Sequence, residues 1–288
     1  MEFWQAIAHT ESDQIFDVAR LAEELGFGAV TVGDHFVTPA RIDSPYPYTD
    51  DRRPWVDPED SMLDPMVLAA AVARVTRRLR FFVTCYVLPM RDPFSAAKAI
   101  SSAAVLSGNR LILGVGVGWM REEFALVGQD FDTRGRRCDE MLEILRKLFR
   151  GGMVEHHGEF YDFPPVQMSP VPDGGLPILI AGHSEAAFRR AARFDGWSAA
   201  HYRADEVPAL VARFRKVWDA SGRSQERPQI SVPLEHEPSL DDCKRLEDAG
   251  VTSLINMPLS FHGEASSSFE RKRAALERFA ERVIVPRR

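Results

Sequence analysis

Strand-like and helix-like patterns alternate along nearly the whole 288-residue chain, and that alternation restricts the fold more than any other feature. Repeated strand–helix units build a parallel sheet, because a strand can return to its neighbour in the same direction only through a crossover helix. The short apolar runs Phe3–Ala8, Ala29–Val32, Arg80–Val87 and Leu111–Val115 read as four strands. Ile178–Ala181, Gly196–Ala199, Ile230–Leu234 and Val251–Met257 read as four more. Ser12 is expected to cap a first helix carrying Ile15, Val18, Ala22 and Leu25, which Gly26 ends. Asp64-Pro65 and Asp92-Pro93 each set a capping carboxylate before a proline at the first helical position. Further helices are expected over 134–150 and from near Ser184, Asp205, Ser239 and Ser268, with Ser239 and Asp242 resembling a capping box. Eight strands and eight helices predict an α/β chain folded as a (β/α)8 TIM barrel rather than an open doubly wound sheet, with 1–288 as a single domain. Two stretches break the rhythm: a proline-rich loop from Phe36 to Leu63 after strand two, and Met153–Phe163, which reads as a small hairpin turning near Gly158.

Composition narrows the functional classes. With 45% hydrophobic and 27% charged residues, the chain can build a core without disulfides or structural metals. A net charge of −6 argues against nucleic acid, so Arg77-Arg78 and Arg136-Arg137 read as solvated helix faces. Cys85, Cys138 and Cys243 lack paired spacing, which predicts a reduced, cytoplasmic protein. The run MEFWQAIAHTESDQ has neither the basic flank nor the apolar stretch of an export signal. No segment approaches the roughly 20 apolar residues of a membrane span, so no membrane role is expected.

In a barrel of this kind the active site lies on the loops that follow the strands. Those positions hold His9, Asp34-His35, Thr84-Cys85-Tyr86, the run Gly114-Val115-Gly116-Val117-Gly118-Trp119, Gly182-His183-Ser184, His201 and Glu235-His236. So many histidines on one rim suggest a metal-dependent hydrolase. Strand one, however, offers one histidine rather than a close pair, and strand four ends in glycine rather than lysine or an acid. No metal site is therefore expected, and His156, His157 and His262 read as surface loop residues. Alternating glycines leave room for a flat ring or for another backbone. Gly182-His183-Ser184, placed before a helix, suits a phosphate or other anion, or an ordinary helix start.

Taken in order, LAEELGFGAVTVGDHF (21–36), RIDSPYPY (41–48), LPMRDPFSAAKAISSAAVLSGNRLILGVGVGWMREEF (88–124), DFDTRGRRCDEMLEILRKLF (130–149), GEFYDFPPV (158–166) and PILIAGHSEAAFRRAARFDGW (177–197) resemble the luciferase-like monooxygenase superfamily, in its branch dependent on the deazaflavin coenzyme F420. The resemblance implies a TIM barrel with an insertion after strand four, here about 116–176, and F420 or FMN lying across the strand ends. It implies that Gly182, His183 and Ser184 hold the phosphate, that Asp34 and His35 lie near the ring, and that a bulge, often a non-prolyl cis peptide, falls at Thr84-Cys85 behind it. Gly116 and Gly118 join these as cofactor-site candidates. The sugar-phosphate dehydrogenases of the superfamily carry a glutamate proton donor where this chain has Trp119, so their chemistry does not transfer. Where many relatives have two glycines, this chain has Ala181-Gly182.

The leading expectation is hydride transfer between bound F420 and a small organic substrate, with His35 as acid or base and Asp34 orienting it or meeting a polar edge of the ring. Tyr46, Tyr48, Trp55 and Trp119 are the candidate substrate wall, and the loop carrying the first three a candidate lid. Two alternatives remain: an FMN-dependent monooxygenase served by a separate reductase, and a non-catalytic binding barrel. A homodimer is expected by resemblance. The redox reading requires residues 34, 84, 116 and 182 to share an open trough.

Overall fold

The computed structural model describes every residue except 50, 55–57, 60, 258–267 and 288. Eight parallel strands close into a barrel: β1 (Glu2–Ala6), β2 (Ala29–Val32), β3 (Arg80–Val87), β4 (Leu111–Gly116), β7 (Ile178–Ala181), β8 (Gly196–Ser198), β9 (Gln229–Pro233) and β10 (Ser253–Asn256). The ring runs β1-β10-β9-β8-β7-β4-β3-β2 and closes where Trp4 of β1 pairs with Ala29 of β2. This is the TIM barrel expected from the alternation. The helices are α1 (Ile15–Leu25), α2 (Pro65–Val75), α3 (Pro93–Leu106), α4 (Arg121–Leu126), α5 (Arg134–Phe149), α6 (Glu185–Ala191), α7 (Val207–Trp218), α8 (Leu240–Asp248) and α9 (Phe269–Phe279). Between β4 and β7 lie α4, α5 and the antiparallel hairpin β5 (Val154–His157) and β6 (Asp162–Val166).

Local chemistry explains most starting points. Asp64 Oδ1 accepts from the backbone N–H groups of Met66 and Val67, and Asp92 Oδ1 from those of Phe94 and Ser95. Ser239 and Asp242 form the reciprocal capping box. Ser12 does not cap α1. That helix begins at Ile15 with no side-chain cap, while Ser12 Oγ meets Ser61 Oγ at 2.6 Å. The buried Lys272 of α9 reaches Glu11 and Gln14, and so holds the entry of α1 through a tertiary contact that local sequence does not display. His156 is also corrected: it is 5% exposed in β5, bonded to Glu140 and Lys147, rather than on a surface loop. His157 is exposed and paired with Asp162; His262 lies outside the described residues.

Alternation along the strands separates two apolar layers. Outward side chains such as Val30, Val83, Leu113 and Ile180 pack beneath the helices, whereas Trp4, Ala29, Phe82, Ile112, Leu179 and Ile255 form an inner plug. Two residues further along the same faces stand Ala6, Thr31, Thr84, Gly114 and Ala181, with the larger Met257 following Ile255. Mostly small side chains thus stand above the bulk of the lower barrel. The register between β3 and β4 slips between Val83 and Tyr86, and the Thr84-Cys85 peptide inside that bulge is cis, as the resemblance implied. The extra residue turns both Thr84 and Cys85 toward the interior: Thr84 Oγ1 lies 3.5 Å from Ser198 Oγ, and Cys85 Sγ lies over Gly116.

The glycines at and just after the end of β4 therefore serve protein packing. A Cβ on Gly116 would collide with Cys85 Sγ, and one on Gly118, at φ +80°, with Phe124 and Val87. The space expected to admit a ring beside these residues is taken by the chain itself. Overpacking of this kind costs about 1–3 kcal/mol, so Gly116→Ala is expected to lower stability by that amount in urea unfolding. Combining it with Cys85→Gly should restore most of the loss; an additive double variant would show that the two sites do not meet.

Candidate active site

Two buried carboxylates organise the mouth of the barrel. Asp34 follows β2 and is 4% exposed; Oδ1 and Oδ2 each accept from the Arg91 guanidinium at 2.8 Å, and Oδ2 also accepts from Val87 N–H. Arg91 is itself sandwiched between the rings of Phe36 and Tyr86, at 4.1 and 4.0 Å. This bidentate fork ties the end of β2 to the turn after β3. Asp34 thus turns its charge toward Arg91 and makes no side-chain hydrogen bond to His35 among the described residues. The expectation that it orients the imidazole is corrected, because His35 Nδ1 meets Glu123 Oε2 rather than Asp34.

The group that does meet His35 is Glu123 of α4. Its Oε2 lies 2.7 Å from His35 Nδ1, while Oε1 accepts from Phe36 N–H at 2.8 Å and, more weakly, from Val37 N–H at 3.4 Å. The adjacent Glu122 accepts from Asp43 N–H and Ser44 N–H through Oε1, and Ser44 Oγ accepts from Arg121 N–H. The first turn of α4 thus clasps the loop after β2 at two places. Burial raises the Glu122 carboxyl, but hydrogen bonds from Ser44 and Asp43 outweigh it and hold the group below its usual range. Glu123 was missed from sequence because α4 was not foreseen. Its only trace is the adjacent glutamate pair after Trp119.

Held by this clasp, the loop lies over the barrel. Tyr46 meets Trp119 edge-on at 5.0 Å and Tyr48 at 5.3 Å; Tyr48 in turn meets His183 at 5.4 Å, and Trp119 meets His35 at 6.1 Å. A continuous aromatic row runs from the end of β2 to the end of β7. Burial, followed by the neighbouring Cys85 thiol, pushes the Tyr46 phenol up to about 12. Burial also raises Tyr48, with Cys85, Tyr46 and Tyr202 adding to the effect. Tyr48 therefore reaches from the β3 bulge to the residues after β7 and β8. Three of the four candidate wall residues come together; Trp55 lies outside the described residues.

Of the four residues expected to line an open trough, Thr84, Gly116 and Gly182 stand at the strand ends, whereas Asp34 is turned to Arg91 and Val87 N–H, and Tyr48 packs on His183 beside them. Gly182 adopts φ +116°, and its carbonyl accepts from Trp197 Nε1 at 2.6 Å. Ser184 caps α6 by accepting from Ala187 N–H. His183 Nδ1 is buried without a hydrogen-bond partner, and its imidazole is pushed down by burial and then by Arg213. Burial alone lowers His201, after β8, to about 4, leaving it neutral at physiological pH. Among the described residues no group of three or more histidines, cysteines or acids stands ready to hold a metal, and no helix is long and apolar enough to cross a membrane.

A Cβ on Gly33 would meet only the Thr84 carbonyl, at 4.0 Å, and His183 Nδ1 is left as a buried polar atom that a ligand with a polar edge would satisfy. Breaking a buried ion pair by removing one charge costs about 3 kcal/mol or more. Asp34→Asn is therefore expected to lose at least that much in urea unfolding. A loss well below that figure would contradict the reading of Asp34–Arg91 as the buried tie between the ends of β2 and β3.

The luciferase-like monooxygenase family model matches residues 3–278. A Mycobacterium tuberculosis protein described as uncharacterized is 40% identical over 288 residues, covering 99% of each chain. The F420-dependent glucose-6-phosphate dehydrogenase of Mycolicibacterium fortuitum is 26% identical, over 94% of this chain and 80% of its own. Among solved structures, an F420-dependent secondary alcohol dehydrogenase in complex with an F420-acetone adduct superposes with a TM-score of 0.76 over 98% of both chains, at 13% identity. The strand-end site and the match across almost the whole barrel agree: this chain belongs to the luciferase-like monooxygenase family.

Proposed function

We propose that the protein is an oxidoreductase that transfers a hydride between bound coenzyme F420 and a small organic substrate. The observation that carries this reading is the pairing of His35 with the buried Glu123 beside a floor of mostly small side chains. An F420-dependent relative supports the deazaflavin reading, while a solved neighbour in complex with FMN keeps the flavin as its alternative.

A bound deazaflavin supplies the two-electron hydride chemistry, leaving the chain to handle binding, orientation and protons. Thr84, Cys85 and Gly33 would form the surface under the ring. Gly182, His183 and Ser184 would meet the phosphate through backbone N–H groups, imidazole and hydroxyl. His35, with Nδ1 engaged by Glu123, retains Nε2 to give or take a proton at the substrate oxygen or carbon. Tyr46, Tyr48 and Trp119 would exclude water once substrate is seated, and burial raises the two tyrosine phenols, which stay neutral hydrogen-bonding groups. Trp119 in place of the glutamate found in the sugar-phosphate dehydrogenases favours a less polar substrate than a phosphorylated sugar.

Fluorescence titration of the purified protein with F420 and with FMN tests the reading. Tight binding of F420, with FMN at least tenfold weaker, is expected; His35→Ala should keep that affinity and lose about 10²–10⁴-fold in turnover, the usual range for a positioned acid–base group. Preference for FMN would transfer the site to a monooxygenase fed by a separate reductase. Binding of neither would remove the redox assignment.

A further inference from the structure

Building on the assignment of His35 as the proton-handling group, we propose that Glu123 is its positioning residue, fixing the imidazole as the Nδ1–H tautomer so that Nε2 carries the working lone pair. The geometry is specific. An ionised carboxylate offers only acceptors, so a neutral His35 facing Oε2 at 2.7 Å must donate from Nδ1. The Glu123 side chain is 2% exposed, which leaves little water to compete for that bond.

The same carboxylate also holds the chain on which the imidazole rides. Oε1 accepts from the N–H groups of Phe36 and Val37, the two residues after His35, so ring orientation and backbone position share one anchor 88 residues away. The adjacent acid cannot substitute, because Asp34 is committed to Arg91 and Val87 N–H. Glu122, next on α4, fixes Asp43 and Ser44 of the loop that carries Tyr46 and Tyr48. Closing the aromatic cover and presenting His35 Nε2 are therefore two effects of one helical turn. Trp119 then flanks the ring edge-on at 6.1 Å and confines its tilt.

Nitrogen-15 NMR of the cofactor-free protein, above the range where histidine protonates, reads the tautomer directly. Wild type is expected to show a pyrrole-like Nδ1 and a pyridine-like Nε2 for His35. Glu123→Gln, which keeps a carbonyl acceptor, should retain the pattern; Glu123→Ala should exchange the two signals toward the Nε2–H form. A wild-type His35 protonated at Nε2, or an Ala variant with unchanged tautomer, would overturn the proposal. Should the Ala variant fail to fold, the wild-type spectrum alone decides. F420 and FMN titrations of the same samples separate the two levels: wild type binding neither cofactor defeats the redox reading, while the nitrogen signals still judge Glu123.

Discussion

A carboxylate removed from water is costly unless every oxygen finds a donor, and the mouth of this barrel is organised around two such groups. Asp34 is satisfied by Arg91 and Val87 N–H, Glu123 by His35 and the N–H groups of Phe36 and Val37. The first pair locks the ends of β2 and β3 together. The second brings α4, a helix that the barrel topology does not require, over the β2 loop. Because both acids serve the same short stretch of chain, residues 34–37 are held from both sides, and the imidazole between them inherits that rigidity.

The barrel supports this arrangement through a gradient of side-chain size. Trp4, Phe82, Ile112 and Leu179 fill the lower interior, while mostly small residues occupy the level above. The bulge of β3 adds Cys85 to the interior, and the absence of a Cβ at Gly116 makes room for it. The result is a floor below and the aromatic cover of Tyr46, Tyr48 and Trp119 above, with His35 and His183 at the two ends of the row.

How much of this was legible depended on whether the determining contact was local. The Asp64-Pro65 and Asp92-Pro93 starts and the Ser239 box could be read because a cap bonds within three residues. The eight strands were legible from apolar runs between turn signals. Ser12 misled because the entry of α1 is governed by Lys272, more than 250 residues away. The glycine run of β4 was recognised as a place of close approach, but the approaching group is Cys85 rather than a ligand. Asp34-His35 was identified as a pair by adjacency; in space the two diverge to Arg91 and Glu123. Helix α4, six residues long with no capping side chain, left no pattern from which Glu123 could be inferred.

The central claim is that the covered mouth between the ends of β2, β3, β4 and β7 is the cofactor seat. A crystal structure of the protein with F420 tests it most directly. The ring is expected above Thr84 and Cys85, with its phosphate against Gly182–Ser184 and the Tyr48–His183 contact displaced. A cofactor bound elsewhere, with Tyr48 still packed on His183, would contradict the account.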